Sequence, residues 1–267
     1  MDLAQKQFLR DILHNAGNIL LKHFGTNLTI ENKNDHSIVT NADKESEAYI
    51  IARIKELYPE DIIFAEESAK SIKQRSANTN VWIIDPLDGT TNFANKYPFF
   101  CISIAKCMFL ENGKINVLYG GIYDPIHNKE YFAQKGKGAY CNEVQLKILP
   151  PNKSFSECFL CTGFYYNMGQ ELSRDLAMFN RIAKECQAIR RDGAAALDLA
   201  LVAEGVYDGF WERGLQPWDL AAATLIVQEA GGTIKNYFLQ ELLTYDLEGE
   251  GIIAGSSEIV TWLSKFV

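Results

Sequence analysis

The segment Val81-Trp82-Ile83-Ile84-Asp85-Pro86-Leu87-Asp88-Gly89-Thr90-Thr91-Asn92-Phe93 constrains this chain more than any other. Its first four residues, Val81 to Ile84, are all apolar, which suits a strand buried on both faces. Asp85 sets a carboxylate at that strand's carboxyl end, and Pro86, with no N–H to give to a ladder, is expected to stop it. Asp88 follows in the same turn, so two carboxylates can converge on one point, and Asp88 or Thr90 is expected to cap a helix. Two anions so close repel unless a cation lies between them. Hard dications such as Mg2+ take carboxylate and carbonyl oxygens, and the Leu87 carbonyl stands between the two acids. A Gly89-Thr90-Thr91 helix start offers N–H groups and a positive dipole end to phosphate. Metal and phosphate side by side imply phosphoryl-transfer chemistry. Taken alone, the same residues would serve equally as an Asx-type turn closing a strand.

Other acidic segments shift that balance. Asp85 to Phe93 resembles the signature of the inositol monophosphatase family, Trp218-Asp219-Leu220-Ala221-Ala222-Ala223 resembles a second motif of that family, and Ala65-Glu66-Glu67-Ser68 a third. The three stand in the family's order, and the resemblance runs from about residue 1 to the end. Without it, the bare residues say less. Lys33 to Asp43 would be a polar loop ending at a helix N-terminus. Glu66-Glu67 would be solvated, Glu212 an exposed strand-end acid, and Asp219 ordinary dipole compensation in a first helical turn.

The resemblance implies a set of roles. Glu66, Asp85 and the Leu87 carbonyl would hold one Mg2+; Asp85, Asp88 and Asp219 a second; a third, looser ion would sit near Glu66. The first metal would activate a water positioned by Thr90 and Asp43, with Lys33 as electrostatic support. Gly89, Thr90 and Thr91 would hold the phosphate beside Asp88 and Asp219, and Glu212 would accept hydrogen bonds from substrate hydroxyls. Gly193 and Ala195 fall where members place a backbone turn near the substrate; many carry Ser or Thr beside that glycine, whereas this chain has alanines.

The implied activity is hydrolysis of a small polyol phosphate, inositol 1-phosphate above all, on the bacterial inositol-1-monophosphatase branch. Related families with the same metal site cleave fructose 1,6-bisphosphate, histidinol phosphate, nucleotide 3′-phosphates or NADP. A different class stays open, since similar bacterial members associate with the transcription elongation machinery. The resemblance further implies a homodimer and sensitivity to Li+.

Helices flank strand groups that include hairpins, which makes the class mixed α/β (α+β); the resemblance implies a layered α-β-α-β-α sandwich. It is expected to be a single domain, residues 1–267, with two sub-halves of about 1–150 and 151–267 meeting at Pro150-Pro151. Leu3 to Phe24 has helical spacing, closed by Gly25, and carries His14 and His23 with no ligand-spaced partner. Leu28–Glu31 reads as a strand, and Ala42–Leu57 as a helix with Ala48, Ile51, Ile54 and Leu57 inward. Asp61–Ala65 is a strand. Ser71–Asn80 is polar and expected to be flexible, and His36 and His127 lie in loops. Cys101–Phe109, Gly113–Tyr123 and Glu130–Phe132 read as successive strands, with Asn112-Gly113 as a hairpin turn. Lys135-Gly136-Lys137-Gly138 lacks the ending of a P-loop. Further on, Glu157–Thr162 and Val206–Glu212 are expected strands, Gly163-Phe164-Tyr165 a turn, and Ser173–Cys186 a helix. Arg190-Arg191 then leads into a helix over Ala194–Ala203, and Leu220–Ala230 and Ser257–Phe266 read as helices, with short strands near Thr233–Lys235 and Gly251–Ala254.

The formal charge of −8 argues against a broad nucleic-acid footprint. Six scattered cysteines include one Cys158-x-x-Cys161 with no second pair, so a structural role is expected rather than zinc. No apolar run reaches the roughly 18 residues of a membrane span, and no signal-peptide pattern opens the chain, so cytoplasm is the expected location.

Overall fold

The computed structural model describes residues 3–33, 37–68, 76–164, 171–242 and 250–267. Helix α1 (Leu3–His23) leads through an antiparallel ribbon, β1 (Ile30–Asn32) and β2 (Ile38–Thr40), into helix α2 (Asn41–Leu57). Next come β3 (Ile62–Ala65), β4 (Asn80–Asp88), the short helix α3 (Thr90–Ala94), β5 (Cys101–Phe109), β6 (Ile115–Asp124), β7 (Lys129–Gln134), β8 (Ala139–Cys141) and β9 (Val144–Gln145). Strands β3 to β9 form one sheet in sequence order, antiparallel apart from the β3–β4 pair. The chain goes on through β10 (Phe159–Thr162), α4 (Glu171–Ala183), β11 (Ala188–Arg190), α5 (Ala195–Glu204), β12 (Gly209–Leu215), α6 (Pro217–Glu229), β13 (Thr233–Asn236), β14 (Glu250–Gly255) and α7 (Ser257–Leu263). These strands make a second sheet, ordered β11-β10-β12-β14-β13.

The alternation within β4 explains the layering. Val81 and Ile83 point into the core shared with α5 and α6, while Trp82 and Ile84 point into the core under α1 and α2. A strand covered on both faces has no polar side to show, hence the unbroken apolar run. Helices α5 and α6 fill the space between the sheets, and the outer face of the second sheet packs on α4 and α7. The result is the expected layered α-β-α-β-α sandwich of mixed α+β class. Trp82 is wholly buried, and its indole N–H donates to Asp61 at 2.9 Å. Burying an indole of that size is worth on the order of 4–6 kcal/mol.

Several sequence expectations are corrected. Pro86 does not stop β4, which continues to Asp88: the register with β5 slips between Asp85 and Asp88, and Pro86 falls in that bulge, where the missing N–H leaves no ladder bond unmade. Neither Asp88 nor Thr90 caps the next helix; Gly89 does, with a left-handed backbone at φ 91°. Ala48 and Leu57 are exposed, and the buried stripe of α2 runs through Asp43, Ser46, Glu47, Ile50 and Ile54. Its first turns are polar because they face the bulge, where the Ser46 hydroxyl donates to the Pro86 carbonyl at 3.0 Å.

Glu212 lies in the middle of β12, beside a register shift, and not at a strand end. The strand expected at Leu28 begins at Ile30, and Glu157 belongs to a 3-10 turn (Phe155–Glu157) ahead of β10. The N–H groups of Gly136 and Gly138 donate to the Glu229 carboxylate at 2.6 and 2.8 Å, which ties that glycine turn to the end of α6. His14 meets Glu130, His23 meets Glu45 and His127 meets Asp124. His36, Tyr165 and the polar residues 69–75 lie outside the described residues. No helix of the described residues is long and apolar enough to cross a membrane.

Candidate active site

Register and helix capping carry the acids to one place. In the parallel β3–β4 pair Ala65 sits opposite Ile84, so Glu66, just past the end of β3, comes beside Asp85 within β4. The bulge then turns Asp88 to the same side, and α6 contributes Asp219 from its first turn. Asp85, Asp88 and Asp219 each present a carboxylate oxygen within 4.8 Å of the others. Three of the site's acids also hold a helix start. Asp43 accepts the Thr40 N–H at 2.8 Å at the head of α2, and Asp219 accepts the Gln216 N–H at 2.7 Å at the head of α6. Asp88 does this across the fold: it accepts the Ala196 N–H of α5 at 2.7 Å, and the cap residue of that helix, Ala194, has no side-chain acceptor.

The electrostatics are those of crowded anions. Asp85 is pushed well above the ordinary carboxylate value, chiefly by burial and then by Glu66, Asp88 and Asp219; Asp219 is raised in the same way. Asp88 is raised to about 6 by burial, against the pull of its N–H donors. Lys33 Nζ lies 2.8 Å from Glu66 and 2.7 Å from Glu67, so it offsets the acid beside Asp85 and none of the trio. Hard oxygens converging with no cation of their own are a donor set that fits Mg2+. Beside the trio, the Thr90 hydroxyl lies 2.8 Å from Asp43 Oδ1 and 3.0 Å from the Leu87 carbonyl. Having one proton, it can serve one acceptor at a time. Asp43 itself is fully buried and raised by desolvation.

The acids open on a cavity of about 410 Å3. Its wall includes Glu66, Asp85, Leu87, Asp88, Gly89, Thr90, Thr91, Gly193, Ala195, Glu212 and Asp219; Asp43 stands behind it, reached through Thr90. A side chain at Gly89 would meet the Phe99 carbonyl at 3.0 Å and Ala194 at 3.1 Å, besides straining the left-handed backbone, so glycine is required there. Glu212 is raised to about 8 by burial and by Asp88, with Arg191 pulling the other way. A Cβ placed on Gly163 would overlap the Glu212 carboxylate. Gly163, Phe164, Arg191, Gln216 and Trp218, which sequence reasoning passed over, line the same cavity. The Pro217-Trp218-Asp219 helix start was a signal for the last two; nothing local marked Gly163, which matters only through β12 facing it.

A family model described as the Inositol monophosphatase family matches residues 5–265. The Nus factor SuhB of Escherichia coli (strain K12) is 38% identical over 247 residues, covering 92% of this chain and 88% of that protein. The native crystal structure of extragenic suppressor protein SuhB from Bartonella henselae superposes with a TM-score of 0.88 at 33% identity, over 98% of both chains. The inositol monophosphatase of Anabaena (Nostoc) sp. PCC 7120 superposes with a TM-score of 0.82 at 36% identity, over 97% of this chain and 93% of that one.

Proposed function

The chain belongs to the inositol monophosphatase family, and on that premise we propose that it is a Mg2+-dependent phosphatase hydrolysing a small polyol phosphate, inositol 1-phosphate first among them. The observation that carries the reading is the meeting of Asp85, Asp88 and Asp219 on the cavity wall, with Glu66 brought beside Asp85 by strand register. The name of the Anabaena relative supports inositol phosphate as the substrate.

Glu66, Asp85 and the Leu87 carbonyl would hold one Mg2+, and Asp85, Asp88 and Asp219 another; a third would sit near Glu66. When bound, the ions supply Lewis acidity, lowering the pKa of a water and neutralising charge on the leaving oxygen. The protein's own groups supply order. Thr90 donates to Asp43, which leaves its oxygen free to accept a hydrogen bond from the attacking water and so aim that water's lone pair. Gly89, Thr90 and Thr91 orient the phosphate from the cavity wall, next to Gly193 and Ala195, and Glu212 accepts hydrogen bonds from the hydroxyls of the leaving group. Water and ester give alcohol and inorganic phosphate with no covalent enzyme intermediate.

The test is a screen of about a dozen sugar, polyol and nucleotide phosphates with Mg2+, with EDTA and with added Li+. Mg2+-dependent release of phosphate from inositol 1-phosphate, blocked by EDTA and reduced by Li+, is the expected outcome; no hydrolysis of any of them would refute the reading. A second reading rests on the relatives named Nus factors. It is association with the transcription machinery as a homodimer, tested by pull-down with RNA polymerase and by sedimentation.

A further inference from the structure

Three polar side chains of α2, Asp43, Ser46 and Glu47, are buried, although a helix face turned to the core is ordinarily apolar. Their spacing puts them on one face, within about 6 Å along the axis. Each reaches a different segment of the site. Asp43 accepts the Thr90 hydroxyl at 2.8 Å, Ser46 donates to the Pro86 carbonyl at 3.0 Å, and Glu47 Oε2 accepts the Glu67 N–H at 2.9 Å. The first two bonds hold the β4 bulge and the helix start after it. The third ties the Glu66-Glu67 turn, and the chemistry described above makes no use of it. Its place in the chain gives it weight. The Glu66 N–H donates to the Ile84 carbonyl at 3.1 Å, continuing the β3–β4 ladder past the end of β3. The Glu67 N–H lies on the other side of the Glu66 Cα. Peptide units are planar, so pinning one to β4 and the next to α2 restrains both backbone dihedrals of Glu66 and the direction its side chain takes. Lys33, 2.8 Å from the Glu66 carboxylate, would otherwise be free to draw that group away from Asp85.

We propose that Glu47 is a positioning residue: by accepting the Glu67 N–H it fixes the backbone that aims the Glu66 carboxylate, and so sets how tightly an ion between Glu66 and Asp85 is held. The proposal rests on the phosphatase reading, since that ion is the Mg2+ of the site. Glu47 itself stands behind the cavity wall and acts through Glu66. Its bond needs an acceptor oxygen and not a charge, so an amide at this position serves and a methyl does not. The ion assigned to Asp85, Asp88 and Asp219 draws on segments that Glu47 does not tie, so the effect falls on one ion of the two. Contacts to the phosphate and to the hydroxyls of the leaving group lie outside its reach.

Calorimetric titration of the metal-free protein with Mg2+ compares wild type, Glu47→Gln and Glu47→Ala, and the Mg2+ dependence of p-nitrophenyl phosphate hydrolysis is read in parallel. Glu47→Ala should weaken one Mg2+ binding step by roughly tenfold to a hundredfold and raise the half-saturating Mg2+ to match, while KM at saturating Mg2+ stays within about twofold. Glu47→Gln should stay within about threefold of wild type, because its carbonyl oxygen still accepts the N–H. Asp61→Asn is the control for plain destabilisation. Asp61 stands at the other end of β3, where it accepts from the Trp82 indole and pairs with Lys106, each at 2.9 Å, and its loss should lower Tm without moving Mg2+ affinity. Should Glu47→Ala fail to fold, Glu47→Asp, which draws the oxygen back by a methylene, should show the weakening instead. Unchanged affinity in whichever of these two folds, or an equal loss in Glu47→Gln or Asp61→Asn, overturns the proposal while leaving the phosphatase reading intact. A wild type that neither binds Mg2+ nor hydrolyses p-nitrophenyl phosphate overturns both.

Discussion

Asp88→Asn should change stability in opposite directions with and without Mg2+. In the metal-free protein the Asp88 carboxyl is raised from 3.8 to about 6, so holding it ionised at neutral pH costs about 3 kcal/mol. An amide removes that cost. It also turns the bond from Ala196 N–H, 2.7 Å long, from charge-assisted into ordinary, a loss of about 1 kcal/mol. The net gain is about 2 kcal/mol, which for a chain of this size raises Tm by roughly 4–8 °C at about pH 7.5. Because the folded protein binds this proton more tightly than the unfolded chain, the stability it brings is full below 3.8 and is lost as pH rises through about 6. Variant and wild type should therefore converge as pH falls towards 4 and separate above 6. With Mg2+ present the order reverses, since the variant has given up an anionic oxygen: the Mg2+-induced rise in Tm should shrink, and turnover should drop by about a hundredfold or more. Differential scanning fluorimetry at several pH values, with and without Mg2+, and a phosphate-release assay measure all of this. Near wild-type turnover, or a metal-free variant less stable than wild type at about pH 7.5, would refute the reasoning.

Glu212→Gln should raise KM for polyol phosphates more than it changes p-nitrophenyl phosphate hydrolysis; equal effects on both would reject contact with substrate hydroxyls. Gly163→Ala should give the same pattern, because the added methyl displaces the Glu212 carboxylate; an unchanged KM would show that this close approach is not needed. Thr90→Val takes the donor from buried Asp43 and should lower kcat roughly tenfold to a hundredfold with little change in KM, read from steady-state kinetics. Asp198 is buried in α5, its Oδ1 has no partner among the described residues, and burial together with Asp192, Glu212 and Asp88 pushes it well up. Asp198→Asn should therefore stabilise the protein at alkaline pH by roughly 1 kcal/mol or more, with the gap closing as pH falls and the wild-type carboxyl regains its proton.

What could be read from the sequence was whatever depends on neighbours a few positions apart. Val81 to Ile84 announced a doubly covered strand, and Asp219 fell in the first turn of an expected helix. The spacing of Asp85 and Asp88 around a carbonyl suggested a hard cation before any coordinate was known. The failures have one common source, which is that they turn on partners far away in the chain. Pro86 is tolerated inside β4 because β5 slips past it by one residue, and nothing in the local sequence encodes that slip. The inward face of α2 was misjudged because its first turns meet a polar bulge instead of an apolar core. Phe164 and Arg191 went unassigned because only the packing of the second sheet brings them, with Glu212, to the cavity wall.

Asp88 caps α5 from 108 residues earlier in the chain, and that distance has a consequence for biosynthesis. A nascent chain that has emerged as far as Pro150 already contains Glu66, Asp85 and Asp88, but it lacks both Asp219 and the amide that steadies Asp88. The acidic trio comes into existence only when α5 and α6 dock between the sheets. An ion bridging Asp85 and Asp219 would then act as a latch on that last assembly step, so magnesium starvation should first be felt as a loosening along this seam, before any strand unravels.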